Sequence, residues 1–352
     1  MSKIALIGDN HFGIRNDSPV FHEYFKRSLK YFFDYIDENK IQHIIHLGDL
    51  FDRRKFLSYL TASVCRKEFL DPIQERKLET HIIAGNHDQY FKDTYEVNAL
   101  DEIVTNRYSH IKTYNTPQQI NIDGLDIQLI PWINPKNHIQ SFDRIQNTQA
   151  QVLIGHLELN GFEMFRGMLS EHGLETHLFD RFDLVFSGHY HHKSSKNNIH
   201  YIGAFAEYTW ADYQDPRGFT ILDTQTRTFE FIQNPHSIFQ MIYYDDTKPI
   251  KIDYSKMKDT YVKVVCKNKT DQVKFDDFIE NLYDAKPVDI SIIEDSSLIE
   301  TSESKDVVDE AQDTSMILST YIKGLTLPVN NDRMITFMND IYKEALSTEH
   351  LT

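Results

Sequence analysis

Five apolar runs in this chain each close on a glycine with Asp, Asn or His directly after it. They are IALIGDNHFG (4–13), HIIHLGDLFD (43–52), IIAGNHD (82–88), QVLIGHLELNG (151–161) and LVFSGHYHH (184–192). Short runs of β-branched and large apolar residues bounded by such turns read as buried strands, and glycine is where the backbone can turn sharply. Strand ends that needed only a cap would draw on Ser, Thr and Gly as readily as on His. Five ends sharing Asp, Asn and His therefore describe one site assembled from separate loops.

Between these runs lie helical stretches. Residues 21–40 carry Phe25, Leu29, Phe32, Phe33 and Ile36 at helical spacing, and 57–73 is a second such stretch. Strand and helix alternating in this way predict an α/β fold, two packed mixed β-sheets flanked by helices. From about 197, NIHYIGAF, GFTILDT, TFEFIQ and QMIYYD succeed one another with only turns between, which predicts a mostly antiparallel second sheet. Residues 259–295 read as strand, helix, strand, a small α/β capping domain. Residues 315–346 read as two amphipathic helices divided at Pro328. The expected organisation is a main domain over 1–250, the cap over 251–293, an acidic linker over 294–313 and a helical partner-binding segment over 314–352.

The 352 residues carry a formal net charge of −16, which argues against a chain that coats nucleic acid through bulk positive charge. It leaves room for an enzyme that holds nucleic acid through metals and a local basic patch. Eight acids against Lys305 alone in 294–313 account for much of the excess, as in a solvated tether. No apolar run approaches the roughly 18 residues of a membrane helix. The start, MSKIALIGD, enters a strand at once, and only Cys65 and Cys266 are present, so a reducing cytoplasm is the expected setting.

The strand ends supply Asp9, His11, Asp49, Asn86, His156, His189 and His191 as candidate ligands. Carboxylate, amide and imidazole without thiolate suit divalent metals such as manganese rather than a structural zinc. Seven ligands exceed one ion, whereas two ions sharing a carboxylate would use them all and form the clamp that phosphoester hydrolysis needs. Arg15, Arg53, Arg54, Lys55 and Lys193 lie close to these motifs. They are either phosphate contacts or a solvated basic run.

Taken together, Asp-x-His, Gly-Asp-x-x-Asp, Gly-Asn-His-Asp, Gly-His and Gly-His-x-His resemble the calcineurin-like metallophosphoesterases. Within these, GDLFDRR, AGNHD, LIPW, GHLELNGF and DPRGF are similar to the SbcD type of DNA nuclease, the bacterial and phage relatives of the meiotic recombination eleven nuclease, phage recombination endonuclease subunits among them. The resemblance spans about residues 3–245. It implies one metal held by Asp9, His11, Asp49 and His191 and another by Asp49, Asn86, His156 and His189, manganese first and magnesium as the alternative. It implies that His87 serves the departing oxygen. Asp52 departs from the pattern, standing where some relatives carry His, and is read as orienting His87 and raising its pKa, while Asp88 is read as fixing the turn. The competing readings are a metallophosphatase acting on another substrate and a non-enzymatic scaffold.

The resemblance also implies partners. DNA would be the substrate, cleaved in recombination and double-strand-break processing in the cytoplasm, that of a host cell if the chain is phage-encoded. An SbcC-type coiled-coil ABC ATPase would receive the C-terminal helices. Val97, Leu100, Ile103 and Val104, with Leu60 and Val64, are either a homodimer face or a cover for the sheet.

Overall fold

The computed structural model describes residues 2–249 and 251–294, together with the isolated positions 333, 334 and 338. The expected acidic linker, apart from Glu294, and the C-terminal helical pair, apart from those three positions, lie outside the described residues. The strands in chain order are β1 (Lys3–Ile7), β2 (His43–His46), β3 (Glu79–Ile83), β4 (Ile111–Tyr114), β5 (Gln118–Ile122) and β6 (Leu125–Ile130). They continue as β7 (Val152–His156), β8 (Glu163–Phe165), β9 (Met168–Leu169), β10 (Leu184–Gly188), β11 (Ser194–Lys196) and β12 (Ile199–Tyr201). The last are β13 (Gly218–Asp223), β14 (Phe229–Gln233), β15 (Phe239–Asp245), β16 (Tyr261–Asn268) and β17 (Asp289–Ile293).

Two six-stranded mixed sheets form the body, in the orders β14-β13-β1-β2-β3-β4 and β11-β12-β10-β7-β6-β5. In the first, β1 to β4 run parallel and β13 and β14 antiparallel. In the second, β6, β7, β10 and β12 run parallel between antiparallel edges. Side chains alternate faces along a strand, and β1 uses both. Ile4 and Leu6 meet Ile45, Ile83, Ile127, Val152 and Phe186 between the sheets, while Ala5 and Ile7 face the helices. Burial on both faces explains why these strands read as continuous apolar runs.

The helix Pro19–Glu38 starts with proline at its first position, where the missing N–H costs nothing. It buries Phe21, Tyr24, Phe25, Leu29, Phe32, Phe33 and Ile36 against the first sheet. Each such side chain stabilises by about 2 kcal/mol, more than an isolated helix has of its own. A second helical stretch runs from Tyr59–Cys65 through Asp71–Arg76 and buries Cys65, Phe69, Leu70 and Ile73.

Two expectations are corrected by strand pairing. The later strands do not make the second sheet by themselves: β13 and β14 extend the first sheet, where Lys3 lies opposite Asp223. QMIYYD, here β15, pairs in parallel with β16 and belongs to a separate small sheet, β15-β16-β17, covered by the helix Gln272–Asp284. Alternation identifies a strand but not its neighbour. Of the residues read as either a dimer face or a cover for the sheet, Leu100 and Val104 are fully buried, whereas Val97 and Leu60 are 44% and 50% exposed. No helix among the described residues is long and apolar enough to cross a membrane.

Candidate active site

All the candidate ligands leave the C-terminal ends of parallel strands: β1, β2 and β3 from one sheet, β7 and β10 from the other. Ligands gather at such edges of α/β sheets. The hydrogen-bond ladder of β1 and β2 continues past the strands, with Asp9 N on Gly48 O at 2.9 Å and His11 N on Asp49 O at 3.1 Å. These two loops are thereby zipped together. Gly85 and Gly188 have no room for a side chain: a Cβ at Gly85 would overlap Asp49, and one at Gly188 would stand 2.7 Å from Asp9 Oδ2. Asp9, His11, Asp49 and His189 all have left-handed backbones, with φ of 51°, 47°, 53° and 86°. Such strain persists only where the surroundings enforce it, and it collects at functional sites.

The side chains converge. His11 Nε2 lies 3.0 Å from His191 Nε2, and Asn86 Oδ1 lies 2.9 Å from His156 Nε2 and 3.0 Å from His189 Nδ1. Asp49 Oδ2 stands between, 3.3 Å from His156 Nε2 and 3.8 Å from His11 Nε2. Asp9, His11 and His191 form one cluster of potential ligand atoms and Asp49, His156 and His189 another. Main-chain groups set the proton positions. His156 Nδ1 lies 2.7 Å from Leu47 O, which can only accept, so Nδ1 carries a hydrogen and Nε2 is the nitrogen turned toward the cluster.

The floor also fits a cation by what it lacks. Asp9 Oδ2 is buried with no hydrogen-bond partner, a costly state for a bare polar atom. Burial, with the neighbouring Asp49 carboxylate, pushes Asp9 up to about 7. Burial also acts upward on Asp49, but His156, His87 and His11 hold it well below the carboxylate range. For His11 and His156 burial acts downward, yet the surrounding carboxylates raise both to about 9.

Around it, His87 donates from its main-chain N–H to Asp49 Oδ1 at 2.8 Å, and its Nδ1 lies 2.5 Å from Asp52 O. Asp52 thus orients His87 through its carbonyl. Its carboxylate faces His11 Nδ1 at 3.6 Å instead, a correction to the expected pairing. Asp88 accepts from Gly85 N at 2.9 Å and Phe51 N at 3.1 Å and so fixes the turn. His46 was not singled out from the sequence, although it stands in HIIHLGD. It accepts from Gly48 N at 3.2 Å and therefore donates from Nε2 to Asn10 Oδ1 at 2.8 Å.

Of these groups His11, Asp49, Asp52, Asn86, His87, His189 and His191 floor a cavity of about 560 Å³, with Asp9 and His156 buried beneath them. Arg15, Arg53 and Arg54 line it, joined by Lys92, which carried no sequence signal. Lys55 and Lys193 do not line it; Lys193 lies over the Phe231 ring at 5.0 Å. Arg54 Nη1 is buried without a partner. Trp132, of the LIPW motif, supplies an apolar wall 5.0 Å from the His189 ring.

A two-sheet α/β body whose strand ends gather carboxylate, amide and imidazole groups defines a metal-dependent phosphoesterase. The chain belongs to the calcineurin-like phosphoesterase family, whose model matches residues 2–193. It is 33% identical over 349 residues to exonuclease subunit 1 of Enterobacteria phage T4, covering 97% of this chain and 99% of that protein. It is 24% identical over 260 residues to the SbcD component of the nuclease SbcCD of Staphylococcus epidermidis, covering 63% and 66% respectively. Among solved structures, GAP50, the anchor in the inner membrane complex of Plasmodium, covers 67% of this chain and 90% of its own with a TM-score of 0.42 at 13% identity.

Proposed function

We propose that this chain is a metal-dependent DNA nuclease that hydrolyses phosphodiester bonds. The observation that carries the reading is the charge-divided cavity, with Asp49, Asn86, His11, His189 and His191 on its floor, Asp9 buried beside His11 and His191, and Arg15, Arg53, Arg54 and Lys92 around it. Two divalent cations, manganese foremost, would be held by Asp9, His11, Asp49 and His191 and by Asp49, Asn86, His156 and His189, and would neutralise phosphoryl oxygens and acidify the attacking water. The remaining work belongs to the protein. His87, with Nδ1 committed to Asp52 O, has Nε2 free to hand a proton to the departing oxygen when it is protonated. Burial lowers its proton affinity and Asp49 acts to restore it. Arg54 Nη1, buried without an acceptor, is suited to a non-bridging phosphate oxygen. Arg15, Arg53 and Lys92 would hold neighbouring phosphates without reading sequence.

The names of the relatives, each one part of a larger nuclease, support a second element of the proposal. The chain acts in a cytoplasmic complex, with its residues 314–352 docking on a coiled-coil ABC ATPase and its Leu60 and Val97 faces available to a second copy. The test is to offer the purified chain, with manganese, end-labelled DNA and a generic phosphomonoester. Cleavage of DNA is expected. Cleavage of the monoester alone would replace this reading with a phosphatase. A chain ending near Glu294 should keep nuclease activity and lose the ATPase.

A further inference from the structure

Most non-glycine positive-φ residues outside the ligand loops stand singly, as at Lys40, Lys77, Asn106 and Asn197, where one left-handed residue turns the chain. Arg15, Asn16 and Asp17 are three in succession, with φ of 53°, 56° and 59°. L-residues do not form left-handed runs of their own accord, so this segment is held by its contacts. Each side chain is tied to a different partner. Arg15 donates from Nε and Nη2 to Tyr208 O at 3.1 Å, Asn16 Oδ1 accepts from Arg53 Nη2, and Asp17 Oδ1 accepts from the Thr61 hydroxyl. The strained turn is also a wall of the catalytic cavity, which Arg15 and Asn16 both line.

The middle tie bears on substrate. Arg53 stands over the Phe56 ring at 4.6 Å, with Nε 4.0 Å from Asp52. A guanidinium has five donors in a fixed fork, so two restraints and one hydrogen bond orient it without exhausting it. Its long side chain loses its rotamer freedom before any ligand arrives, and binding is spared that loss. We propose that the left-handed turn positions the substrate strand, with Asn16 as the positioning residue that holds the Arg53 guanidinium ready for a DNA phosphate. This rests on the nuclease reading above and adds a role that no ligand motif contains.

Asn16→Gly and Asn16→Ala separate the tie from the strain, since both delete Oδ1 but they move the backbone energy in opposite directions. With the full chain, manganese and a short single-stranded oligodeoxynucleotide, both should raise KM about tenfold, the scale of a hydrogen bond to a charged group, with kcat within about twofold. Their Tm values should diverge, Asn16→Gly rising by about 2 °C and Asn16→Ala falling. Asn16→Asp keeps the acceptor and should restore KM. A wild-type KM in Asn16→Gly, or an Asn16→Asp enzyme as impaired as Asn16→Ala, overturns the proposal. If the unsubstituted chain hydrolyses bis(p-nitrophenyl) phosphate but not DNA, the nuclease reading itself fails, and the two failures are told apart.

Discussion

Asp9 and Glu207 are both buried carboxyls, 0% and 6% exposed, and burial pushes both up to about 7. They differ in how many donors meet them. Glu207 Oε2 accepts from Ile238 N at 2.8 Å and Phe239 N at 3.2 Å, and the Ser237 hydroxyl lies within 3.0 Å of both its oxygens. Asp9 Oδ1 accepts from His189 N at 2.9 Å, while Oδ2 meets no donor. The filled carboxyl pins the connection between β14 and β15, where the body passes into the small sheet. The unfilled one lies with ring nitrogens of His11 and His191 in one cluster of potential ligand atoms. Burial and a raised pKa do not separate function from structure, because both sites have them; the missing donor does.

That distinction breaks most directly at the floor. Asp49→Ala and His189→Ala are expected to lose bound manganese and roughly a thousandfold or more in turnover, since several kcal/mol of charge stabilisation go with the metal. His87→Ala should keep its metal and lose about a hundredfold or more, the scale of a proton donor. Metal analysis of the purified variants beside turnover decides it. A metal-free His87→Ala beside an active Asp49→Ala would reverse the assignment. Asp9→Asn sharpens the point, because removing an uncompensated buried charge should leave the metal-free protein at least as stable as the parent. At a hundredfold excess of manganese over Kd the parent should gain about 2.7 kcal/mol more than the variant, the share of the one site that Asp9 helps to hold, read as a larger rise in Tm. Equal gains in both proteins would mean that Asp9 waits for no cation.

The same criterion applies to the cations. Arg54, whose Nη1 is buried and unpartnered, should cost about tenfold in kcat/KM when changed to Ala. Lys193, exposed and set over Phe231, should cost less than about twofold. Comparable losses at both positions, in a titration of DNA cleavage against salt, would show that proximity in sequence outweighs placement in the cavity.

The floor was legible because its grammar is local. A buried strand, a close-packed glycine and a ligand succeed one another within a few residues, so Asp9, His11, Asp49, Asn86, His156, His189 and His191 could be found one loop at a time and are brought together in the fold. The packed pair of mixed sheets was legible for the same reason, from runs buried on both faces. What was hidden depends on distant neighbours. β13 pairs with β1 from the far end of the body, and β15 pairs forward with β16, although both alternate like any hairpin strand. Lys92 and Asn16 reach the cavity only because their loops pass it. Asp52 misled for a subtler reason: spacing put it beside His87, but the backbone directs the carbonyl there and the carboxylate to His11.

The smallest effect on turnover belongs to Glu207, which is where the filled carboxyl can be tested. Its folded pKa of about 7 lies above its ordinary value of 4.5, so the native state binds the proton more tightly than the unfolded chain does. The stability this contributes is complete below pH 4.5 and is lost as pH rises through 7, to a limit of ~3 kcal/mol. The charged groups set against it are Asp212, which raises it, and the Arg217 ion pair with Asp212. Glu207→Gln cannot ionise, yet it keeps one oxygen for the main-chain donors of Ile238 and Phe239. Relative to the parent it should therefore gain stability steadily between pH 4.5 and 7 while hydrolysing DNA at the parental rate. Urea denaturation of both proteins at pH 5 and pH 7.5 measures that difference. Parallel stabilities at the two values would mean that the main-chain donors already hold Glu207 ionised. A loss of turnover with the fold intact would mean that the connection it pins also shapes the cavity through Tyr208, its neighbour, whose hydroxyl donates to Asp9 O.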